Sequence, residues 1–334
     1  MISLKRLLAL GLVGVLATGV ISCKKDSDLE STVELTASFT RTINRHQYQF
    51  AGNKVTELTP DEDNQASYGV ISDAHGEVGK AKFFAEEFKK RGADGIILTG
   101  DLPSNEELRY RQRDSKNDKT EIKEVLEAVA QTGLPVFVIP GNHEQKPDYH
   151  AALAEVIAKY ENVIDMTKFR VFDGDDVDFV SLPGYQTFRI PGRQFIPENG
   201  YWAKPEFIQA SSVSQRGLND AVVLITHGCG KTNGTPGPAT IYNGGDVGDE
   251  ATMEMMKQNN IPFAVCGHIH EAGGLAATYD GKAVKPGEWS KQFSANFGGL
   301  EQWKHIDGTV YNGMAGILTV KRDSAKFEML YYQQ

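Results

Sequence analysis

The sequence predicts an α/β fold in which a mixed, buried β-sheet is layered against helices. From about residue 66, short apolar runs alternate with amphipathic segments, as strands alternate with helices in such folds. The apolar runs are rich in β-branched residues and do not alternate with polar ones, which is typical of strands buried on both faces. No repeat of solenoid period is visible.

Five apolar runs are predicted as buried strands: "YGVIS" (68–72), "GIILTG" (95–100), "PVFVIPG" (135–141), "AVVLITH" (221–227) and "PFAVCGH" (262–268). Helices are predicted at 82–90, 121–131, 148–160 and 249–259. A further run, 177–184, predicts a central strand with no ligand residue at its end. The runs "GILTV" and "FEMLYY" flank "KRDSAK" and predict a terminal hairpin, so the sheet is expected to be mixed.

The N-terminus is typical of an exported protein. Lys5 and Arg6 precede an apolar run, 7–21, that has the length of a signal-peptide core and is too short to span a bilayer. The run ends in "VISC", which resembles a bacterial lipobox in which Cys23 is lipidated; an ordinary secretory signal is the alternative. We therefore expect a membrane-anchored lipoprotein of a bacterial cell envelope, on its periplasmic or surface face.

Three segments follow from this interpretation. Residues 1–22 are predicted as the lipoprotein signal peptide, and 23–65 as a tether followed by one or two short exposed strands. Residues 66–334 are predicted as the folded domain, which ends in the C-terminal hairpin.

Composition and charge narrow the class of partners. The 334 residues are 40% hydrophobic and 24% charged, which suits a globular protein with a sizeable core. The formal net charge of −9 disfavours a nucleic-acid binder with a broad basic face, so no nucleic-acid partner is expected. After Cys23 only Cys229 and Cys266 remain, too few for a disulfide framework. Either one bridge or two buried thiols fits this count.

Residues of metal-binding type follow each of the five predicted strands, in the order Asp73 and His75, Asp101, Asn142 with His143 and Glu144, His227, and His268 with His270. Ligands of α/β sheets bind outside the carboxyl ends of the strands, so we expect these side chains to meet at one end of a single sheet. Taken singly, each residue has an ordinary structural explanation. Asp73 and Asp101 also suit helix N-caps or turns. Asn142 also suits a turn, and His227 also suits a packed position in the core. Their occurrence together, each at the end of a predicted strand, favours a ligand-binding site.

The five blocks resemble, in type and order, the motifs of the calcineurin-like metallophosphoesterases. They are Asp73-x-His75, Gly100-Asp101, Gly141-Asn142-His143-Glu144, His227 and Gly267-His268-x-His270. The resemblance covers roughly residues 66–275. It implies layered mixed β-sheets, a β-sandwich flanked by helices in a four-layer αββα arrangement.

The resemblance also assigns roles at the site. One metal ion would be held by Asp73, His75 and His270, the other by Asn142, His227 and His268, with Asp101 bridging the two. His143 would face the substrate as transition-state stabiliser and proton donor. Glu144 would lie outside the set of metal ligands and orient the side chain of Asn142 or His143.

The residue types support this chemistry independently. Seven protein ligands are too many for one ion with an open position and suit two divalent or trivalent ions about 3.5–4 Å apart. Two such charges lower the pKa of a bridging water, so that a metal-bridged hydroxide forms at neutral pH, and they offset the charge of a reacting phosphate. A nearby histidine can protonate the leaving oxygen. Nitrogen and oxygen donors without thiolate suit Mn, Fe, Zn or Co, among which the sequence does not choose.

The predicted function is metal-dependent hydrolysis of a small phosphate ester, a monoester or a diester. The alternative is a lipoprotein that binds metal or phosphate without catalysis. Two long loops rich in Gly and Pro, 183–205 and 228–248, are long enough to suggest a functional role, with an insertion of no consequence as the alternative. Candidate substrate contacts in the first loop, with ordinary loop packing as the alternative, are Tyr185, Arg189, Arg193, Tyr201 and Trp202.

Overall fold

The structure is a computed structural model that describes residues 38–61, 63–104, 115–184, 189–190, 193–194, 217–234 and 236–333. For residues 115–117, 189–190 and 193–194 only the backbone is described. The predicted signal peptide, Cys23, and the loop residues Tyr185, Tyr201 and Trp202 lie outside the described residues. Within the described residues, no helix has both the length and the hydropathy that crossing a bilayer requires.

Two mixed sheets contain most of the strands. Side by side, the six strands of the smaller sheet are β20 (Ser324–Tyr331), β19 (Met314–Lys321), β4 (Ala66–Ile71), β5 (Gly95–Leu98), β6 (Val136–Val138) and β7 (Val163–Asp165). The ten strands of the larger sheet are β1 (Phe39–Ile43), β2 (His46–Ala51), β3 (Lys54–Glu57), β8 (Val171–Asp173), β9 (Asp178–Leu182), β12 (Val222–Gly228), β13 (Phe263–Gly267), β16 (Phe293–Asn296), β14 (Ala276–Ala277) and β15 (Ala283–Val284).

Two small antiparallel pairs and the helices complete the fold. The pairs are β10 (Arg189–Ile190) with β11 (Arg193–Gln194), and β17 (Gln302–Lys304) with β18 (Val310–Asn312). The helices are α1 (Val78–Lys90), α2 (Ser115–Ala130), α3 (Lys146–Lys159) and α4 (Glu250–Gln258), with one turn of 3₁₀-helix at His270–Ala272. Each α-helix lies over a segment that the sequence predicts as helical. The predicted terminal hairpin is β19 paired antiparallel with β20.

The two sheets pack face to face through buried aromatic rings. Tyr68 of β4 lies 4.7 Å from Phe179 of β9, and Phe137 of β6 lies 4.7 Å from Phe172 of β8, measured between ring centroids. Burial of each such ring contributes on the order of 2–3 kcal/mol. This contact between the sheets is the central core of the protein.

Helices cover the two outer faces. Apolar residues of α1, α2 and α3 pack on the smaller sheet, where Phe84 and Phe88, one helical turn apart, are buried. Met255 and Met256 of α4 pack on Leu224 of the larger sheet. The layers therefore run helix, sheet, sheet, helix, and the predicted fold class is confirmed.

The expectation of a single ligand-bearing sheet is wrong. β4, β5 and β6 belong to the smaller sheet, whereas β12 and β13 belong to the larger one. All five strands are nearly or completely buried, so their burial pattern does not distinguish which sheet they join. Only the pairing partners decide it.

The N-terminal strands are also less exposed than expected. β1, β2 and β3 extend one side of the larger sheet, in which β1 is the edge strand and β3 pairs with β8. Tyr48, Phe50 and Val55 are buried in the central core. The alternation in "HQYQFA" (46–51), with every second residue apolar, is the sequence signal for a strand with one buried face.

A buried carboxylate at the start of β9 makes the stability of the fold depend on pH. Asp178 is buried; its Oδ2 accepts a hydrogen bond from the Asp220 N–H at 2.9 Å, and its Oδ1 has no partner among the described residues. Burial, with the nearby Asp173 and Asp220 acting in the same direction, raises the pKa of Asp178 to about 7. The folded state therefore prefers the protonated acid.

We predict that stability falls as the pH rises from about 4, where Asp178 ionises in the unfolded chain, to about 7, where it ionises in the folded one. Asp178→Asn should raise the free energy of unfolding by about 1–2 kcal/mol at pH 8 and leave it almost unchanged near pH 4. Urea unfolding at both pH values measures this. Asp323→Asn, at an exposed turn, is the control and should show no such change with pH; equal effects of both variants would contradict the prediction.

Candidate metal centre

The carboxyl ends of five strands converge where the two sheets meet. Asp73, Asp101 and Asn142 follow β4, β5 and β6 of the smaller sheet. His227 lies in the last residues of β12, and His268 directly follows β13 of the larger sheet. A hydrogen bond of 2.9 Å from the His268 N–H to Asp73 Oδ2 joins the sheets here. Both sheets therefore build the site.

Four of these residues have a left-handed backbone. The φ angles of Asp73, His75, Asp101 and His268 are 47°, 44°, 54° and 66°. Such angles are uncommon outside glycine and cost on the order of 1 kcal/mol or more each. Hydrogen bonds of 3.0 Å, from the Asp73 N–H to the Gly100 carbonyl and from the His75 N–H to the Asp101 carbonyl, hold the two loops together. Backbone strain of this kind is concentrated at functional sites.

The first ligand group contains Asp73, His75 and His270, whose ligand atoms lie within 4.8 Å of one another. Nε2 of His270 is 3.2 Å from Nε2 of His75 and 3.3 Å from Asp73 Oδ1. Asp73 Oδ2 accepts hydrogen bonds from the Ser72 hydroxyl and the His268 N–H. The carboxylate is thereby oriented so that Oδ1 faces the two imidazoles.

The second group surrounds Nε2 of His227. That atom lies 3.2 Å from Asp101 Oδ2, 2.9 Å from Asn142 Oδ1 and 3.2 Å from Nδ1 of His268. Asp101 Oδ1 accepts a hydrogen bond of 2.9 Å from the His143 N–H. The structure thus places His268 and His270, two residues apart in sequence, in different groups.

Hydrogen bonds behind the ligands set the orientation of two imidazole rings. Nδ1 of His227 lies 2.9 Å from the Thr99 carbonyl, and Nδ1 of His75 lies 3.2 Å from the Pro103 carbonyl. A carbonyl only accepts, so each Nδ1 must carry the proton to form the bond. Nε2 is then the nitrogen that faces the site, as in metal-binding histidines.

Glu144 acts on the backbone of the site. Its Oε1 accepts a hydrogen bond of 2.8 Å from the Leu102 N–H, and its Oε2 accepts one of 2.7 Å from the Gly141 N–H. The expected contact with the side chains of Asn142 or His143 is not among its described hydrogen bonds. Glu144 instead ties the loop that carries Asp101 to the loop that carries Asn142. Burial, followed by the charge of Asp101, raises its pKa to about 7.

Burial and the neighbouring groups have opposite effects on the buried acid and base of the second group. Burial opposes the charge on Asp101, but the imidazoles of His143 and His227 outweigh it and hold the Asp101 pKa well below its usual value. Burial lowers the pKa of His227, and Asp101 more than reverses this, to about 9. For His268, burial and the nearby His227 together lower the pKa to about 3. His268 is therefore neutral at pH 7, the form that binds metals.

Both groups fit a metal ion. Asp73 Oδ1 is buried and accepts no hydrogen bond from the residues that the structure describes. In each group two imidazole nitrogens face each other 3.2 Å apart, where at most one hydrogen bond can form between them. Carboxylate, amide and imidazole donors suit Mn, Fe, Zn and Co. The chain therefore has two candidate sites for two ions, and the donors do not determine which metal binds.

A disulfide bridge lies next to the second group. Cys229 and Cys266 are buried and bonded to each other, with their Cα atoms 5.3 Å apart. Cys229 follows His227 by two residues, and Cys266 precedes His268 by two. The register between β12 and β13 is irregular here, between Ile225 and Gly228. The bridge thus fixes the two ligand-bearing strand ends where their backbone pairing is interrupted, and it decides a question that the cysteine count leaves open.

Two glycines allow the close approach of backbone and ligands. A Cβ on Gly267 would lie 1.8 Å from Ser72 Oγ and 2.2 Å from Asp73 Oδ2. A Cβ on Gly141 would lie 2.2 Å from Asp101 Oδ1. Both positions therefore require glycine for the backbone to pass this close to the ligand carboxylates.

Sequence reasoning missed several contributors. Ser72 binds the Asp73 carboxylate, Thr99 and Pro103 accept from imidazoles through their carbonyl groups, and the ring of Trp303 lies 4.6 Å from that of His270. Ser72 adjoins a ligand in sequence and offers a signal. The carbonyl acceptors have no side-chain signature, and Trp303 lies outside every ligand motif.

A family comparison agrees with this geometry. The model of the calcineurin-like phosphoesterase family matches residues 66–272, more than half of the chain. The chain therefore belongs to the calcineurin-like phosphoesterase family. The matched region includes all nine predicted site residues from Asp73 to His270.

Comparisons with solved structures show the same fold. The TT1561 protein of Thermus thermophilus aligns with a TM-score of 0.54 at 13% identity, over 80% of this chain and 98% of that one. A dimetal phosphatase from Danio rerio aligns with a TM-score of 0.49 at 11% identity, over 80% and 99% of the two chains, a likeness that carries no functional conclusion. Curated proteins gave no significant match.

We predict that Gly267→Ala disturbs the first ligand group, because the added methyl group displaces Ser72 and the Asp73 carboxylate. Metal affinity should fall at least about tenfold, and the free energy of unfolding by about 1–3 kcal/mol. Metal titration and urea unfolding measure the two effects. Gly79→Ala in α1 is the matched control, since a Cβ there meets nothing within 4 Å. Unchanged metal affinity in Gly267→Ala would contradict the prediction.

The double variant Cys229→Ser, Cys266→Ser tests the bridge. Loss of a cross-link that spans 37 positions should lower the free energy of unfolding by about 3 kcal/mol. We expect the group around His227 and His268 to lose metal affinity and the group around His75 and His270 to retain it. Titration of a metal ion, followed by calorimetry, resolves two binding steps. If both steps weaken equally, the bridge has no local role.

Proposed function

We propose that the protein is an exported, lipid-anchored enzyme that hydrolyses phosphomonoesters or phosphodiesters with two bound metal ions. One observation carries the proposal: two groups of ligand atoms meet at strand ends supplied by both sheets. Membership of the calcineurin-like phosphoesterase family and the four-layer fold support it.

In this proposal the chain divides its ligands between two ions. Asp73, His75 and His270 hold one ion and Asn142, His227 and His268 hold the other, with Asp101 between the groups. Bound there, the two ions would supply a water-derived nucleophile at neutral pH and neutralise charge on the phosphate oxygens.

His143 is proposed as the proton donor to the leaving oxygen. Its Nε2 lies 3.5 Å from Asp101 Oδ2, and its ring centroid lies 5.0 Å from that of His75. The side chain thus borders both groups, yet it belongs to neither set of clustered ligand atoms. Because Asp101 Oδ1 accepts from the His143 N–H, the backbone position of this residue is fixed relative to the ligands. A histidine so placed can protonate an alkoxide as it departs.

Export and anchoring rest on separate support. The Cys229–Cys266 bridge is typical of proteins that fold in an oxidising compartment, which agrees with the signal sequence before Cys23. The proposed partners are a membrane, contacted through a lipid on Cys23, and a small phosphate ester. The net charge of −9 does not favour a nucleic acid.

Two measurements on the purified protein test the proposal: metal content per chain, and hydrolysis of bis(p-nitrophenyl) phosphate and p-nitrophenyl phosphate with added Mn²⁺, Zn²⁺ or Co²⁺. We expect two ions per chain and turnover that a chelator abolishes. Two bound ions without turnover of either ester under any metal would support the non-catalytic metal-binding alternative. A content of less than one metal ion per chain would refute both the enzymatic function and the non-catalytic metal-binding alternative.

We further predict that His143→Gln keeps both metal ions and lowers kcat about 10²- to 10⁴-fold, because only proton donation is removed. His46→Gln, a histidine paired with Glu57 and outside both ligand groups, is the matched control and should retain activity. Loss of a metal ion from His143→Gln would assign this residue to the ligands instead.

A further inference from the structure

An exposed indole lies beside the candidate metal centre. Trp303 of β17 is 36% exposed, and its ring centroid lies 4.6 Å from that of His270, at an interplanar angle of 64°. Among the described residues, Trp303 belongs to none of the apolar cores. The fold therefore gains little burial from this side chain, although indole is among the largest apolar groups.

The surrounding structure holds the indole in place. The segment after β17 contacts the 3₁₀ turn through a hydrogen bond of 3.0 Å from the Ile306 N–H to the Glu271 carbonyl. The hydroxyl of Tyr242 donates a hydrogen bond to the carbonyl of Lys304, the residue after Trp303. These backbone contacts hold the strand that carries the indole, while part of the side chain remains exposed.

Tyr242 enlarges this surface. It is 56% exposed and lies in the long loop 228–248. We call Trp303 and Tyr242 together the aromatic rim. Tyr242 is held beside Trp303 through the Lys304 carbonyl, and Trp303 lies against the imidazole of His270. The two exposed aromatic side chains thus offer an apolar surface next to the candidate metal centre.

We propose that the aromatic rim stacks a planar aromatic ring of the substrate, so that nucleotides and similar aromatic phosphate esters are preferred over aliphatic ones. This inference rests on the proposed phosphoesterase function. Stacking of a base on an aromatic side chain stabilises complexes enough to change affinity by about tenfold or more. The ring, rather than the sugar, is the group that matches a flat indole surface.

The test compares two esters that share a 5-phosphorylated ribose, one with adenine and one with a hydroxyl group at C1 of the sugar. For adenosine 5′-monophosphate, Trp303→Leu should lower kcat/KM about tenfold, mainly through KM. The loss for ribose 5-phosphate should be smaller, so that the ratio of kcat/KM for the two esters falls about tenfold, and metal content and urea unfolding of the variant are measured separately. Trp303→Phe retains a flat ring and should recover most of the loss. Trp289→Leu, at an indole that is 44% exposed and rests near Lys326, is the matched control and should behave as the wild type.

Calorimetry in the His143→Gln background separates this inference from the proposed function. Loaded with Mn²⁺, that protein should bind adenosine 5′-monophosphate at least about tenfold more tightly than ribose 5-phosphate, and Trp303→Leu should remove the difference. Such discrimination without turnover in the wild type would support the rim and refute hydrolysis. If the wild type hydrolyses both esters and Trp303→Leu slows both equally, or slows neither, the rim is refuted and hydrolysis stands. Absence of nucleotide binding would refute the rim as well.

Discussion

The hydrogen bond from the His268 N–H to Asp73 Oδ2 is the contact on which the site depends. It joins residues 195 positions apart and connects the smaller sheet to the larger one. It occupies one carboxylate oxygen, so the other is directed to His75 and His270. The approach is close enough to require glycine at position 267. Separation of the sheets by even one methyl group would disturb both ligand groups at once.

The site concentrates features that oppose folding. Two carboxylates are almost completely buried, and four ligand residues have left-handed backbones. The aromatic contact between the sheets and the helical layers on either side offset these costs. The disulfide also offsets part of these costs at one edge of the site, where it holds the ends of β12 and β13 together. The stable part of the molecule thus maintains a strained, charge-rich centre, as expected where metal ions are to be bound.

The two borders of the centre differ in character. On one side a buried covalent bridge fixes the strands that carry His227 and His268. On the other side Trp303 contacts His270 with much of its ring exposed. The bridge thus lies beside one ligand group, and an accessible aromatic side chain lies beside the other.

Apolar periodicity and the residue types after each strand are local properties. From them the sequence predicts the five ligand-bearing strands, the strand at 177–184, the terminal hairpin, the four helices and the ligand types. The Asp73, Asp101, Asn142, His227 and His268 blocks could be predicted for this reason. The tertiary structure alone decided that their strands belong to two sheets, that Cys229 pairs with Cys266, that Glu144 binds backbone and that Trp303 adjoins His270. Each of these is a contact between distant segments, and no local pattern encodes which segment a buried strand, a thiol or an exposed ring will meet.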